Sequence, residues 1–215
     1  NLMAGKKITL KVTGTTSTVT WTSSDESIAT VSDKGVVKGM KKGSTEVQAS
    51  VDGIKLTCKV SVVAKMSKKD FDRFGITEAR YVRGKRKVTV RKINFIYLCQ
   101  KKGYAGKGGF YYTFQFKNGT GKRRYTNRGI KTGSKLSTIK KKYGDQIVVK
   151  KCSKKDAFSN MKLVKKNKAK KYTEVSYSKY KIRFFLNSKS KVVGIIVACN
   201  MKNIKKKHLK ADGYL

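Results

Sequence analysis

One histidine in 215 residues removes most enzyme chemistry before any motif is sought. His208 lies in Lys205-Lys206-Lys207-His208-Leu209-Lys210, where the cations disfavour protonation and metal binding alike, and a surface residue is expected. A single imidazole builds neither a metal cluster nor a Ser-His-Asp arrangement. Carboxylates are scarce too. Beyond residue 65 they are Asp70, Asp72, Glu78, Asp145, Asp156, Glu174 and Asp212. A glycosidase needs two across a cleft, and no spacing here nominates a pair. Cys58, Cys99, Cys152 and Cys199 show no C-x-x-C spacing, and so low a density is no disulfide framework. No apolar run approaches the length that crosses a bilayer. No signal peptide is visible, yet the first strand begins almost at Asn1, so a trimmed piece is expected and no cytoplasmic home is inferred. These absences predict a chain with no catalytic residues, no cofactor and no metal.

What the sequence has in excess is positive charge. Lys and Arg number 53 against 12 Asp and Glu, a formal charge of +41. Residues 1–65 hold 10 basic and 5 acidic side chains, and residues 66–215 hold 43 and 7, so +36 of the charge falls in the second part. That asymmetry predicts two units, 1–65 and 66–215, the second meant for an anionic environment. Lys outnumbers Arg by 44 to 9. Arg reads phosphates and bases with a planar fork, whereas Lys is a hydrated point charge, so diffuse attraction is expected over specific readout.

The first part is organised around Trp21–Gly39, WTSSDESIATVSDKGVVKG. Val19 and Trp21 share one face of a strand and Thr20 and Thr22 the other. Ser23 to Ser27 is a run of turn formers. Ile28 to Val31 re-enters the sheet, Ser32 to Gly35 turns again, and Val36-Val37 follows. Before it, Lys6 to Val12 alternates with Ile8, Leu10 and Val12 on one face. After it, Thr45, Val47, Ala49 and Val51 share a face, Asp52-Gly53 signals a hairpin, and Leu56, Cys58, Val60 and Val62 form the next apolar row. That row puts Cys58 on a buried face as a small hydrophobe. The ordered string closely resembles the core signature of bacterial Ig-like group 2 (Big2) domains, over residues 2–63. The resemblance implies an all-β Ig-like sandwich and an extracellular, cell-surface or wall-associated address, as in invasin- and intimin-like proteins. The missing proline and the short Gly14-Thr15-Thr16-Ser17 turn depart from that pattern.

Ala64–Lys69 reads as a short polar linker, with Lys68 to Phe74 as a turn of helix. Beyond it, β-formers run from Tyr81 to Tyr97. The glycine-rich loop Gly103–Gly109 lacks the G-K-[ST] and following helix that phosphate binding requires, and reads as a mobile loop. Phe110–Phe116 is a strand, Lys117–Gly121 a turn, and Lys122–Thr126 a segment able to pair back. Leu136, Ile139 and Tyr143 mark a helix, with a hydroxyl cap offered by Thr132-Gly133-Ser134, lysines in the last turn and Gly144 as its stop. Gln146–Lys150 is a further strand. Ser153–Lys171 reads as a loop with one helical turn. Tyr180, Ile182, Phe184 and Leu186 alternate with Lys181, Arg183 and Phe185. Val192–Cys199, apolar on both faces, belongs in a central strand, which buries Cys199.

Arg128-Gly129-Ile130-Lys131-Thr132-Gly133-Ser134, then Tyr143-Gly144, then the last hairpin is similar to the repeat of β-lactamase-inhibitor-protein-like domains, over residues 128–199. It implies an α+β fold, a helix on a mainly antiparallel sheet, and no activity. The expected binding residues are Lys122, Arg123, Arg124, Arg128, Lys140, Lys141, Lys142, Lys150 and Lys151. Anionic wall polymers, acidic glycans or a host surface are the expected partners. Cations interleaved with Tyr104, Phe110, Tyr111, Tyr112 and Tyr125 allow a non-specific nucleic-acid binder instead, although no RNP1-like string is present. An inhibitor-like protein-binding module is the third reading. Cys152, beside Lys150, Lys151 and Lys154, is expected to be exposed, and its thiol is open to a depressed pKa.

Overall fold

The computed structural model describes residues 1–67, 69–72, 78–83, 86–91, 110–116, 126–178, 180–199 and 206–211. The chain divides into two compact units, residues 1–65 with 139–147, and residues 66–138 with 148–215. The glycine-rich loop at 103–109, the 117–121 turn, the pairing of 122–125 and Cys99 lie outside the described residues.

The first unit contains a β-sandwich. β1 (Leu2–Met3), β7 (Ile54–Val63), β6 (Gly43–Val51) and β3 (Thr20–Ser23) form one sheet in that order. β2 (Lys7–Thr9), β5 (Val36–Gly39) and β4 (Ala29–Val31) form the other. Leu2, Val47, Val60 and Val62 of the first sheet meet Ala29 and Val37 of the second in one core, and Trp21 packs half-buried against it. Thr45, Val47, Ala49 and Val51 all point inward, as their alternation requires. The β6–β7 hairpin turns on Asp52 and Gly53, whose φ values of 50° and 76° are the pair a type I′ turn needs. The run of turn formers after Trp21 closes on Asp25, whose carboxylate accepts the Ser27 amide and hydroxyl at 2.9 and 2.6 Å.

Two expectations fail here. The strand expected over Lys6 to Val12 is β2, which stops at Thr9, so Leu10 and Val12 lie outside it. The apolar row of β7 is buried only at Val60 and Val62, whereas Ile54, Leu56 and Cys58 are exposed. The reason is lateral. β1 pairs only with Val62 and Val63, so among the described residues Ile54–Lys59 forms a free sheet edge that nothing covers.

The second unit is an α+β fold built on an antiparallel sheet. Its strands are β8 (Glu78–Arg83), β9 (Arg86–Arg91), β10 (Phe110–Phe116), β11 (Val149–Lys151), β12 (Lys171–Tyr177), β13 (Tyr180–Leu186) and β14 (Val192–Cys199). They lie in the order β11-β12-β13-β14-β10-β8-β9. β14 is central, as its two apolar faces demand. β11 begins at Val149, later than the expected Gln146, and forms one edge. The helices of the chain are short: α1 (Lys69–Asp72), α2 (Leu136–Tyr143), whose residues from Ile139 on group with the first unit, α3 (Lys162–Lys166) and α4 (Lys206–Ala211), with a 3-10 turn at Phe158–Asn160. Within α2, Ile139 and Tyr143 are fully buried. Gly144 ends it at φ 92°, its amide donating to the Lys140 carbonyl at 2.7 Å. Ser134 does not cap this helix as expected. Its hydroxyl lies one residue too early and instead accepts the Lys131 amide at 3.1 Å.

Both faces of β13 are covered. Tyr180, Ile182, Phe184 and Leu186 are buried on one, where Phe71 of α1 packs 5.4 Å from Tyr180 between ring centroids. On the other, Phe185 joins Tyr172, Phe158, Met161 and Val164 under the segment that carries the 3-10 turn and α3. Arg183 lies on that second face and is 5% exposed. Alternation sets it on the same strand face as Lys181, which is half-exposed at the strand's start.

Candidate functional site

Antiparallel pairing sets Arg183 of β13 directly opposite Glu174 of β12, and Phe185 opposite Tyr172. Side chains opposite each other in a ladder share a face, so charge meets charge and ring meets ring. Arg183 Nε donates to Glu174 Oε1 at 2.9 Å, and Nη1 donates to Asp156 Oδ2 at 2.6 Å. The guanidinium carbon lies 4.0 Å from the Tyr172 ring centroid, with Phe158 and Phe185 at 5.5 and 5.7 Å. Burial alone would lower the Arg183 pKa. The two carboxylates outweigh it and hold the guanidinium above its usual value. Burial likewise pushes the Asp156 carboxyl up, but the Arg183 contact and two bonds from Ser159 outweigh it and keep it below the ordinary range.

Asp156 also organises its own loop. Its Oδ2 accepts the Ser159 amide at 2.8 Å and the Ser159 hydroxyl at 2.6 Å. Asn160 Nδ2 reaches the carbonyls of Asp156 at 2.8 Å, Lys154 at 3.1 Å and Ser153 at 3.4 Å. The loop is closed on itself and pinned to the sheet through Arg183. Phe158, Met161 and Val164 then anchor it in the core. Its lysines consequently have one direction left. Lys150 and Lys151 on β11, Lys154 and Lys155 in the loop, Lys162, Lys165 and Lys166 on α3, and Lys168 and Lys170 beyond it are all exposed. Between Asp145 and Glu174 the sequence holds one carboxylate, Asp156, and Arg183 occupies it. Among the described residues none of these nine ammonium groups forms an ion pair.

The expected binding residues are therefore distributed unevenly. Lys150 and Lys151 fall within this basic surface, and Lys141 and Lys142 are exposed on α2 with Lys140 half-exposed beside them. Lys122, Arg123 and Arg124 lie outside the described residues. Arg128 turns inward. Its Nε donates to Asp70 Oδ1 at 2.6 Å and its Nη2 to Asp70 Oδ2 at 3.1 Å, an arrangement with Asp70 only 6% exposed. The Ser67 amide also donates to Asp70, at 2.8 Å. Arginine suits such positions because its fork matches a carboxylate and is weakly hydrated. Sequence reasoning missed Arg183 and the lysines at 154–170. The signal for Arg183 was Phe185 two residues on, since a hydrophobic neighbour on the same strand face argues that the face is covered.

The cysteines depart from expectation in opposite senses. Cys58, expected in the core, is exposed. Cys152, expected at the surface with its thiol open to a depressed pKa, is half-buried. Burial and the Asp156 charge push its thiol up, and the Ser159 hydrogen bond and Arg183 only partly offset them. In native alkylation at pH 8 followed by peptide mass mapping, Cys58 should therefore react roughly tenfold or more faster than Cys152. Equal rates would contradict this placement.

Among the described residues no group of three or more His, Cys, Asp or Glu side chains is placed to hold a metal. No described helix is long and apolar enough to cross a membrane. Compared with known families, residues 2–62 match the model of the bacterial Ig-like domain (group 2), in agreement with the sandwich found there. No curated protein matches the chain.

Proposed function

We propose that this is a secreted, cell-surface or wall-associated protein without enzymatic activity. Residues 1–65 serve as an Ig-like spacer or adhesion module. Residues 66–215 form a basic domain that retains the protein on anionic surface polymers. The Ig-like match supports the address, because it belongs to a bacterial module of that kind. One observation supports the binding role: among the described residues the nine exposed lysines of residues 150–170 form no ion pair, and the one carboxylate in their stretch is engaged by Arg183. Lysines also blunt an exposed sheet edge, which accounts for Lys150 and Lys151 on β11. It does not account for Lys154 to Lys170, which lie beyond the strand.

Binding by such a surface releases counterions. The logarithm of affinity for duplex DNA, heparin or teichoic acid should fall linearly with the logarithm of salt, by about 0.9 per duplex phosphate neutralised. Polyanions of similar charge density should compete almost equally. A salt series on the full chain checks this. Tight binding to only one polymer at high salt, or a stoichiometric salt-resistant complex with a protein, would overturn it.

A further inference from the structure

We infer that the binding surface is the Arg183-pinned segment 150–170, and that its ligand is a flexible phosphodiester polymer without stackable rings, recognised through backbone charge alone. This rests on the polyanion reading above and gives it a place and a chemical class.

The place follows from rigidity and from charge. The loop is closed by Asp156 and Asn160, tied to the sheet by Arg183, and anchored by Phe158, Met161 and Val164. A polymer binding there orders long lysine side chains but little backbone, which lowers the entropy cost of association. No other described stretch of similar length carries as many exposed lysines with its carboxylate already engaged.

The class follows from what the segment withholds. Stacking of bases needs exposed rings, each base gaining about 1–3 kcal/mol from an aromatic partner. Here Phe158 and Tyr172 are 1% and 8% exposed, turned inward around Arg183. Sugar or base recognition also needs free amides and hydroxyls. Asn160 is committed to three carbonyls, Asn167 donates to the Leu163 carbonyl at 2.8 Å, and Thr173 donates to the Val148 carbonyl at 2.8 Å. Ser159 is bonded to Asp156. Residues 146–173 contain no arginine, so no planar fork faces outward. What remains for a ligand, beside the exposed Ser153, is a set of ammonium groups on a fixed support. A polyol-phosphate chain offers one charge per repeat and, beside it, only hydroxyl groups, with no ring to stack.

The test uses the full chain with poly(glycerol phosphate), and with oligo(dT) of equal charge. One variant carries Lys154, Lys155, Lys165 and Lys166 changed to Gln. A matched control carries Lys131, Lys135, Lys189 and Lys191 changed to Gln, also exposed and in the second unit. The segment variant should weaken poly(glycerol phosphate) binding roughly tenfold or more at low salt and lower the salt slope by about 3. The control should change affinity less than about threefold, and oligo(dT) should bind no tighter than the polyol phosphate. Lysine acetylation of the unaltered chain, mapped with and without polymer, gives a second readout that needs no variant. Protection should concentrate at residues 150–170. Equal losses in the two variants, with protection spread evenly, would overturn the assignment of place while the broader reading stands. A clear oligo(dT) preference would overturn the chemical class. No binding of any polyanion would overturn both.

Discussion

Arg183→Ala is expected to cost the second unit about 3–5 kcal/mol, because it leaves Asp156 and Glu174 facing each other without their shared cation. Their side chains are 20% and 18% exposed, so partial rehydration should place the loss toward the lower end. The Tyr172 ring also loses the guanidinium 4.0 Å away. Arg183→Lys should recover part of the loss, since one ammonium group cannot bridge both carboxylates as the fork does. Denaturant unfolding followed by far-ultraviolet circular dichroism measures this, while the emission of Trp21, the one tryptophan, tracks the first unit separately. A loss below about 1 kcal/mol would mean that the buried ion pairs contribute little.

The same cluster carries a pH signature. Asp156 has its folded pKa held below the unfolded value. Its contribution is therefore complete above the unfolded carboxyl pKa of about 4 and is lost as pH falls through the folded one. Asp156→Asn should be less stable than the unaltered chain at pH 7, and the gap should close progressively below about pH 4. A gap that stayed constant into acid would assign the effect to packing rather than to charge.

Gly35→Val, at a buried turn residue, should be the most damaging turn change in the first unit, costing roughly 3 kcal/mol or more. Gly35 has φ 70°, a conformation a β-branched residue strongly resists. A β-carbon there would also sit 2.6 Å from the Leu10 carbonyl oxygen and 3.0 Å from Trp21 Cζ2. The Leu10 amide donates to the Gly35 carbonyl at 2.9 Å, so the chain cannot move aside without breaking that bond. Trp21 fluorescence reads the unfolding directly. Gly53→Ala makes the informative contrast. It shares a positive φ of 76° but has nothing within 4 Å of the added carbon, so it carries only the backbone strain of about 1 kcal/mol.

Much of this architecture was legible in the chain because it rests on local rules. Alternation placed Thr45, Val47, Ala49 and Val51 inward, and Asp52-Gly53 turned the hairpin, because strand period and positive-φ turns are properties of a few neighbouring residues. Gly144 stopped its helix for the same reason. The double-sided apolar run of Val192–Cys199 announced a central strand. Charge composition separated a mildly basic first part from a strongly basic second one.

The tertiary structure decided which rows were covered and which charges were engaged. Leu56 and Cys58 follow the same alternation as Val60 and Val62, yet only the latter pair lies at or next to the stretch where β1 closes the sheet. No local pattern sets Arg128 apart from the lysines around it, and Phe185 is the one local hint for Arg183. Asp70, Glu174 and Asp156 reach them across 58, 9 and 27 residues, a meeting that no local pattern encodes. Cys152 reverses its expected character for that reason too. The nearby lysines that seemed able to activate it point to solvent, while Asp156 and the core raise its pKa. Composition alone determined that this protein carries a large positive charge. Among the described residues, long-range pairing engages Arg128 and Arg183 inside the fold and leaves the lysines of residues 150–170 at the surface, because the few available carboxylates are desolvated beside guanidinium groups that tolerate burial best.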